Sequence, residues 1–357
     1  MNIIFLSPHF PLHFWNFCDR LKHLGVNVLG IGDCPYDNLQ QEVKNSLTEY
    51  YYTPSLEDYD GVYRAVGYFI HRYGRIDYIE SQNEYWLNLE ARLRTDYNVT
   101  TGWKTAEMDA VKLKSQMKAG YKKARVKTAR HLLIQSLDDA VAFGREVGYP
   151  IIVKPDNGVG AGGTHKIHDE RELDVFFSTV PNVHDYVIEE FITGDICSYD
   201  AIIDSRGCPL FESMTVWPPS IMDIVNKQLD LAYYVAKEIP ESLKIIGRKT
   251  VRAFGVKSRF VHLEFFRLDK DRGALGGVGD FVALEVNMRP AGGYTPDMIN
   301  YAHSTDVYRI WADMVAYDKS HLASALSHDA HNALSRAWTD EYYCVFASRR
   351  DIYTYRH

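Results

Sequence analysis

Leu284-Glu285-Val286-Asn287-Met288-Arg289-Pro290 is the stretch that decides how this chain is read. Apolar and polar residues alternate from position 284, and side chains on a β-strand change face at every residue. A strand here turns Leu284, Val286 and Met288 towards a core and gathers Glu285, Asn287 and Arg289 on the other face. Upstream, Val261-His262-Leu263-Glu264-Phe265-Phe266 also reads as a strand, and a polar, glycine-rich connector from Asp269 to Asp280 separates the two. Paired residues in a symmetric antiparallel hairpin share one index sum. The connector ends and the pair 264/285 have the same sum, so Glu264 is expected opposite Glu285, with Cβ atoms about 4.5–5.5 Å apart. Carboxylates that close repel unless a proton or a cation lies between them. Two acids and an amide suit Mg²⁺, which takes carboxylates together with phosphate oxygens. Either acid alone would read as a solvated residue on an open sheet face. The shared face with Asn287 and Arg289 favours a cation site.

The flanking segments extend this picture. After Arg289 the chain runs Pro290-Ala291-Gly292-Gly293-Tyr294-Thr295-Pro296, a glycine turn feeding a helix start, with Thr295 as cap and Pro296 at the first helical position. A helix N-terminus beside a cationic arginine suits a carboxylate or its phosphorylated form. Further back, Gly158-Val159-Gly160-Ala161-Gly162-Gly163 satisfies G-x-G-x-x-G, but a dinucleotide fingerprint needs a helix straight afterwards. Thr164 to His168 alternates like a strand instead, and no Lys-Ser/Thr pair completes a Walker loop. The remaining pattern is strand (Ile151 to Lys154), glycine loop, strand. Such a loop either covers phosphates with its backbone N–H groups, with Lys154 as a neutralising charge, or is a plain surface hairpin.

At the N-terminus, Asn2 to Leu6, a helical period over 13–24 closed by Gly25, and Val26 to Ile31 form a βαβ unit, hence a parallel sheet. A helix near 57–73 and a strand Ile76 to Glu80 continue it. Ser81-Gln82-Asn83-Glu84 then falls at the carboxyl end of a strand, where ligands gather in such sheets; a helix cap is the simpler alternative. Residues 107–124 read as helical, with Lys112, Lys114, Lys118, Lys122 and Lys123 mostly a solvated face. A helix at 137–147, a strand around Val187 to Ile192, a helical stretch near 225–253 and a strand at Tyr342 to Ala347 complete the expectations.

A chain of 357 residues suggests two or three domains. With 46% hydrophobic and 24% charged residues it is no largely disordered chain. Lys and Arg number 40 against 47 Asp and Glu, a net charge of −7, which disfavours general binding to nucleic acid or anionic membrane. The 5 cysteines include no C-x-x-C pair, which fits reduced thiols in a cytoplasmic protein. The apolar run at the N-terminus is too short for a signal peptide, and no stretch of about 18 apolar residues points to a membrane span.

Taken together these segments resemble the ATP-grasp enzymes, among them biotin carboxylase, the carbamoyl phosphate synthetase large chain and D-alanine–D-alanine ligase. The most specific element is Glu285-Val286-Asn287-Met288-Arg289, which matches the family's E-x-N-x-R motif. The resemblance implies an α/β chain, α+β in its catalytic lobes: a Rossmann-like pre-grasp domain over 1–106, a linker helix and lid over 107–195, and a catalytic lobe with a C-terminal extension over 196–357. It implies that Glu264, Glu285 and Asn287 hold one or two Mg²⁺ ions on ATP, with Mn²⁺ an acceptable replacement, and that Arg289 steadies an acyl phosphate. Lys154 matches the lid-strand lysine. Lys114, a dozen residues before Val126, matches the family's second lysine better than Lys112. Gly158, Gly160, Gly162 and Gly163 match the phosphate-covering loop. Glu189 and the backbone of Phe191 and Ile192 match the adenine-reading hinge, and Asp195 the ribose-binding acid. The segment Ala124 to Ala129 lacks the family's usual glycine and proline, and there is one grasp unit and no biotin-carrier sequence. The implied activity is that of a carboxylate–amine ligase, amino-acid type, working through an acyl phosphate and releasing ADP and phosphate. Its partners would be a small carboxylate and an amine, with no nucleic acid or membrane, and a homodimer is allowed. Carbamoyl-phosphate-synthetase-like or carboxylase-like phosphorylation, and ATP binding without chemistry, remain the alternatives.

Overall fold

The computed structural model describes residues 1–158, 162–218, 230–322 and 341–349. The first sheet is parallel, in the order β3-β2-β1-β4, from β1 (Asn2–Leu6), β2 (Asn27–Gly32), β3 (Glu49–Tyr52) and β4 (Tyr78–Glu80). Helices α1 (Trp15–His23), α2 (Gln41–Ser46), α3 (Tyr59–Tyr73) and α4 (Leu87–Asp96) connect and follow the strands. Parallel strands need cover on both faces. Here α1 packs Phe17 and Leu21 against Phe5 and Val28, while α3 packs Val62 and Phe69 against Leu6 and Ile31. The continuous apolar runs of β1 and β2 follow from this double burial.

Two short helices, α5 (Asp109–Lys112) and α6 (Lys114–Ala124), lead into a second sheet of β5 (His131–Leu133), β6 (Ile151–Pro155), β7 (His165–Ile167) and β8 (Tyr186–Glu190). Its order is β5-β8-β6-β7 and every pairing is antiparallel. Helices α7 (Leu137–Val147) and α8 (Glu170–Thr179) cover one face through Ala140, Leu173 and Phe176, which meet Ile151, Val153 and Ile188. Alternation therefore sends Lys154 and Glu189 to the face those helices leave free. β6 and β7 are the strand–loop–strand expected around the glycines.

The third sheet is built from β9 (Gly194–Ile203), β10 (Pro209–Ser213), β11 (Thr215–Trp217), β12 (Leu231–Val235), β13 (Arg259–Leu268), β14 (Phe281–Asn287) and β15 (Cys344–Ser348), with α9 (Glu241–Ala253), α10 (Thr295–Ala302) and α11 (Val307–Tyr317). Its path is β14-β13-β9-β11-β12-β15, with β10 paired to β9. The helical stretch expected near 225–253 is in fact β12 followed by α9, and its first residues lie outside the described ones. The apolar run Leu231 to Val235 pairs antiparallel with both β11 and β15, so tertiary pairing overrides the helical reading there. Helix α10 starts at Thr295 itself, one residue earlier than the cap expectation, with Pro296 in its first turn. Gly194 opens β9 at φ +149°, where an added Cβ would stand 2.2 Å from the Arg267 carbonyl oxygen, so only glycine fits. Among the described residues no helix is long and apolar enough to cross a membrane.

Candidate active site

The hairpin β13–β14 pairs Glu264 with Glu285 and His262 with Asn287, as the index sum requires. The ladder then slips between Glu264 and Phe265, because Phe265 pairs with Ala283 and Leu284 is the extra residue of a β-bulge. This corrects the expected core face. Phe281, Ala283, Val286 and Met288 share one cluster, whereas Leu284 packs with a different one.

Two rows of side chains cross β9, β13 and β14 on one face: Asp200, His262 and Asn287 in one, and Ser198, Glu264 and Glu285 in the next. Asn287 Nδ2 donates to Glu264 Oε1 at 3.3 Å, which leaves Asn287 Oδ1 free to accept or to ligate. Lys114 Nζ lies 3.7 Å from Glu285 Oε1 and donates to the Gly158 carbonyl at 3.1 Å. Burial pushes the Glu285 pKa up; Lys114 pulls against this and the Glu264 charge adds to it, for a net rise. Burial also acts against ionised Glu264, but the hydrogen bond and charge of His262, with the charges of Arg289 and Lys154, together outweigh it and hold that acid below its usual value. Opposed carboxylates, one resisting ionisation, with an amide oxygen beside them, form a donor set that a hard divalent cation satisfies. The residues thus fit Mg²⁺. Among the described residues no cage of three or more His, Cys, Asp or Glu encloses such an ion, so the remaining positions fall to oxygens from a ligand or water.

The lysines depart from the solvated-face expectation. Lys112, Lys114 and Lys118 are 9%, 4% and 7% exposed, and only Lys122 and Lys123 face solvent. Lys112 Nζ pairs with Glu84 Oε1 at 2.7 Å. Lys118 forms an ion pair with Glu189, and Lys154 Nζ holds the other Glu189 oxygen at 2.6 Å. Burial works against ionised Glu189, but Lys154 and Lys118 together hold its pKa down to about 2. Lys118 is a functional candidate absent from the expected site set, and Glu84 of the 81–84 loop has no role of its own there. Their signal is a helical spacing of four between Lys114 and Lys118 and a position beyond the carboxyl end of β4.

Arg289 lies with Nε 3.3 Å from Glu84 Oε2, and its Nη1 donates to the Pro290 carbonyl at 2.8 Å. The loop Ser81 to Glu84 therefore joins the site from the first sheet. Beneath it, Arg259 Nη2 meets Glu80 Oε1 at 2.7 Å while its Nη1 donates to the Met288 carbonyl at 2.8 Å. Arg94 closes this buried cluster on Glu80 and Glu90 at 3.1 and 2.6 Å.

The hinge residues are less uniform. The Phe191 carbonyl accepts from Arg272 Nη2 at 3.0 Å, and Lys166 Nζ stands 3.9 Å from the Phe191 ring centre. Ile192 is buried against Ala129, Leu268 and Val282. Asp195 does not join the site. It pairs with Arg267, an odd number of residues from Glu264, so its side chain takes the opposite face of the sheet. There it lines a cavity of about 300 Å³ with Cys197, Val216, Tyr234 and Arg267. Gly158, Gly162 and Gly163 flank the loop between β6 and β7, and Gly160 lies outside the described residues.

A parallel sheet, a helix-covered antiparallel sheet and a large antiparallel sheet, converging on paired acids and buried lysines, make up the ATP-grasp fold. Residues 109–193 match the family model described as the ATP binding domain of the carbamoyl-phosphate synthase L chain. The L-arginine-specific L-amino acid ligase of Bacillus subtilis is 25% identical over 236 residues, covering 63% of this chain and 54% of that protein, so the match spans about half of that relative's length. Among solved structures, an L-amino acid ligase from Bacillus licheniformis superposes with a TM-score of 0.66 at 18% identity, over 88% of this chain and 73% of that one. The biotin carboxylase domain of the Hydrogenobacter thermophilus 2-oxoglutarate carboxylase, solved as a dimer in complex with MgADP, superposes at 0.68 with 16% identity, over 90% and 70%.

Proposed function

We propose that the protein is an ATP-dependent carboxylate–amine ligase whose acid substrate is an amino acid. The observation that carries this reading is the meeting of Glu264, Glu285, Asn287 and Lys114 with Arg289 and Glu84. Glu264, Glu285 and Asn287 would hold Mg²⁺, which would supply neutralisation of charge on the transferring phosphoryl group. Lys114 and Lys154 would stabilise the phosphate oxygens, and Glu189 with the Phe191–Ile192 backbone would offer the edge for adenine. A carboxylate oxygen of the acid attacks the γ-phosphorus and releases ADP. The amine nitrogen then attacks the acyl carbon, loses a proton and expels phosphate, forming an amide. Arg289 holds the acyl phosphate. The carboxylate of Glu84 beside it favours an acid that also bears an ammonium group, since a lone anion such as bicarbonate gains nothing from that neighbour. We take 1–106, 107–195 and 196–357 as the pre-grasp, lid and catalytic units, with closure of the lid excluding the water that would hydrolyse the intermediate.

The test is ADP release against a panel of amino acids. ADP and phosphate are expected only when both an acid and an amine are present, with Mg²⁺ or Mn²⁺. ADP release driven by bicarbonate alone would favour the carboxylase-like reading, and nucleotide binding without turnover under every condition would favour a binder.

A further inference from the structure

His262 belongs to no expected site set, yet it is the most tightly constrained polar side chain near the paired acids. Its Nδ1 lies 2.6 Å from Asp200 Oδ1 and its Nε2 lies 3.1 Å from Glu264 Oε1. Asp200 is itself fully buried and fixed from behind. Ser198 Oγ donates to Asp200 Oδ2 at 2.6 Å, and Thr215 Oγ1 donates to the same oxygen at 3.0 Å. The edge of the Trp217 ring, 5.5 Å away between centres, closes one side of the imidazole. The imidazole therefore has one orientation, and that orientation presents Nε2 to a single oxygen of Glu264. Asn287 Nδ2 donates to that oxygen too. Oε2 of Glu264 is the oxygen left over.

We propose that His262, anchored by Asp200, is a positioning residue that turns Glu264 so that Oε2 is presented to the divalent cation. The inference rests on the magnesium reading given above. Glu264 faces Glu285, and with only the longer 3.3 Å contact from Asn287 left on Oε1, repulsion would swing the Glu264 carboxylate away from the shared site. Partners of this kind, one step behind a ligand, typically change metal affinity 10–100-fold when removed.

The experiment is calorimetric binding of a non-hydrolysable ATP analogue to the full chain, with and without Mg²⁺. His262→Asn keeps a donor within reach of Asp200 but is too short to reach Glu264. His262→Gln reaches Glu264 again. The expected result is that His262→Asn leaves metal-free nucleotide affinity unchanged and weakens apparent Mg²⁺ affinity by about tenfold or more, while His262→Gln recovers most of the loss. Wild-type magnesium coupling in His262→Asn overturns the inference, and so does a loss in His262→Gln as large as in His262→Asn. Should His262→Asn fail to fold, Asp200→Asn is read in the same way: weakened coupling supports the inference and full coupling overturns it. Absence of any magnesium effect in the wild type defeats the magnesium reading itself and takes this inference with it.

Discussion

At the scale of single residues, Glu264 and Glu285 oppose each other across one strand pair, and the protein tolerates a repulsion that a purely structural hairpin would avoid. Function that opposes stability shows itself when it is removed. Glu285→Gln is expected to lower ligase turnover about 10²–10³-fold while raising the magnesium-free melting temperature by about 1–3 °C, read by activity assay and calorimetry. A drop in melting temperature would mean that the Lys114 contact matters more than the repulsion. Glu84 carries a second expectation. Glu84→Gln should raise the KM for the amino-acid substrate about 10–100-fold, the loss of one charge-assisted hydrogen bond, with little change in the KM for ATP. Equal effects on both would place Glu84 in the scaffold and not in the substrate site.

Among the elements, α6 brings Lys114 and Lys118 to the site, and its own placement depends on a glycine. A Cβ on Gly120 would stand 2.3 Å from the ring of Phe254, just past the end of α9, so that ring packs directly on the backbone of α6. Gly120→Val is expected to cost about 2–3 kcal/mol through overpacking, measured by urea denaturation, and to weaken nucleotide binding because the lysines move with the helix. The contrast between α6 and β14 shows what the sequence could reveal. The alternation in β14 is local, so the shared face of Glu285, Asn287 and Arg289, and their pairing with Glu264, are legible from spacing alone. The bulge at Leu284 leaves that alternation intact and is invisible in the sequence. For α6 the periodicity is visible, but which face is covered depends on Glu285 and Glu189, far away in the chain, so a lysine-rich face that is in fact buried reads as a solvated one. The match at Asp195 rests on resemblance alone, and near a strand start a shift of one residue moves a side chain to the other face.

At the scale of the whole molecule, buried ion pairs tie the three sheets together. Arg259 joins the large sheet to Glu80 of the first sheet, and removing one partner of such a pair leaves an uncompensated buried charge. Arg259→Met is expected to cost about 3–5 kcal/mol in a denaturation midpoint. Glu189 joins the helix-covered sheet to α6 through Lys118. Its folded pKa of about 2 lies below the unfolded carboxylate value of about 4.3. The stability it contributes is therefore complete above the unfolded value and is lost as pH falls towards 2. Urea midpoints at pH 6, 4 and 3 should fall steeply in the wild type and less steeply in Glu189→Gln; equal slopes would show that other carboxylates dominate. One further contact sets how the helix-covered sheet can move. Ala283 N donates to the Lys127 carbonyl at 2.8 Å, Thr128 bridges to Ala283, and Glu190 N donates to the Arg130 carbonyl at 3.0 Å. The chain that enters this sheet is thus stitched down two residues from Glu285, and the chain that leaves it is tied to the entering one. The far end of β6 is held as well, because Asp156 accepts from the backbone N–H groups of Lys114 and Ser115 at the start of α6, at 3.0 and 2.7 Å. Any swing of the strands that carry Lys154 must therefore break the Asp156 contacts or take α6 along with it.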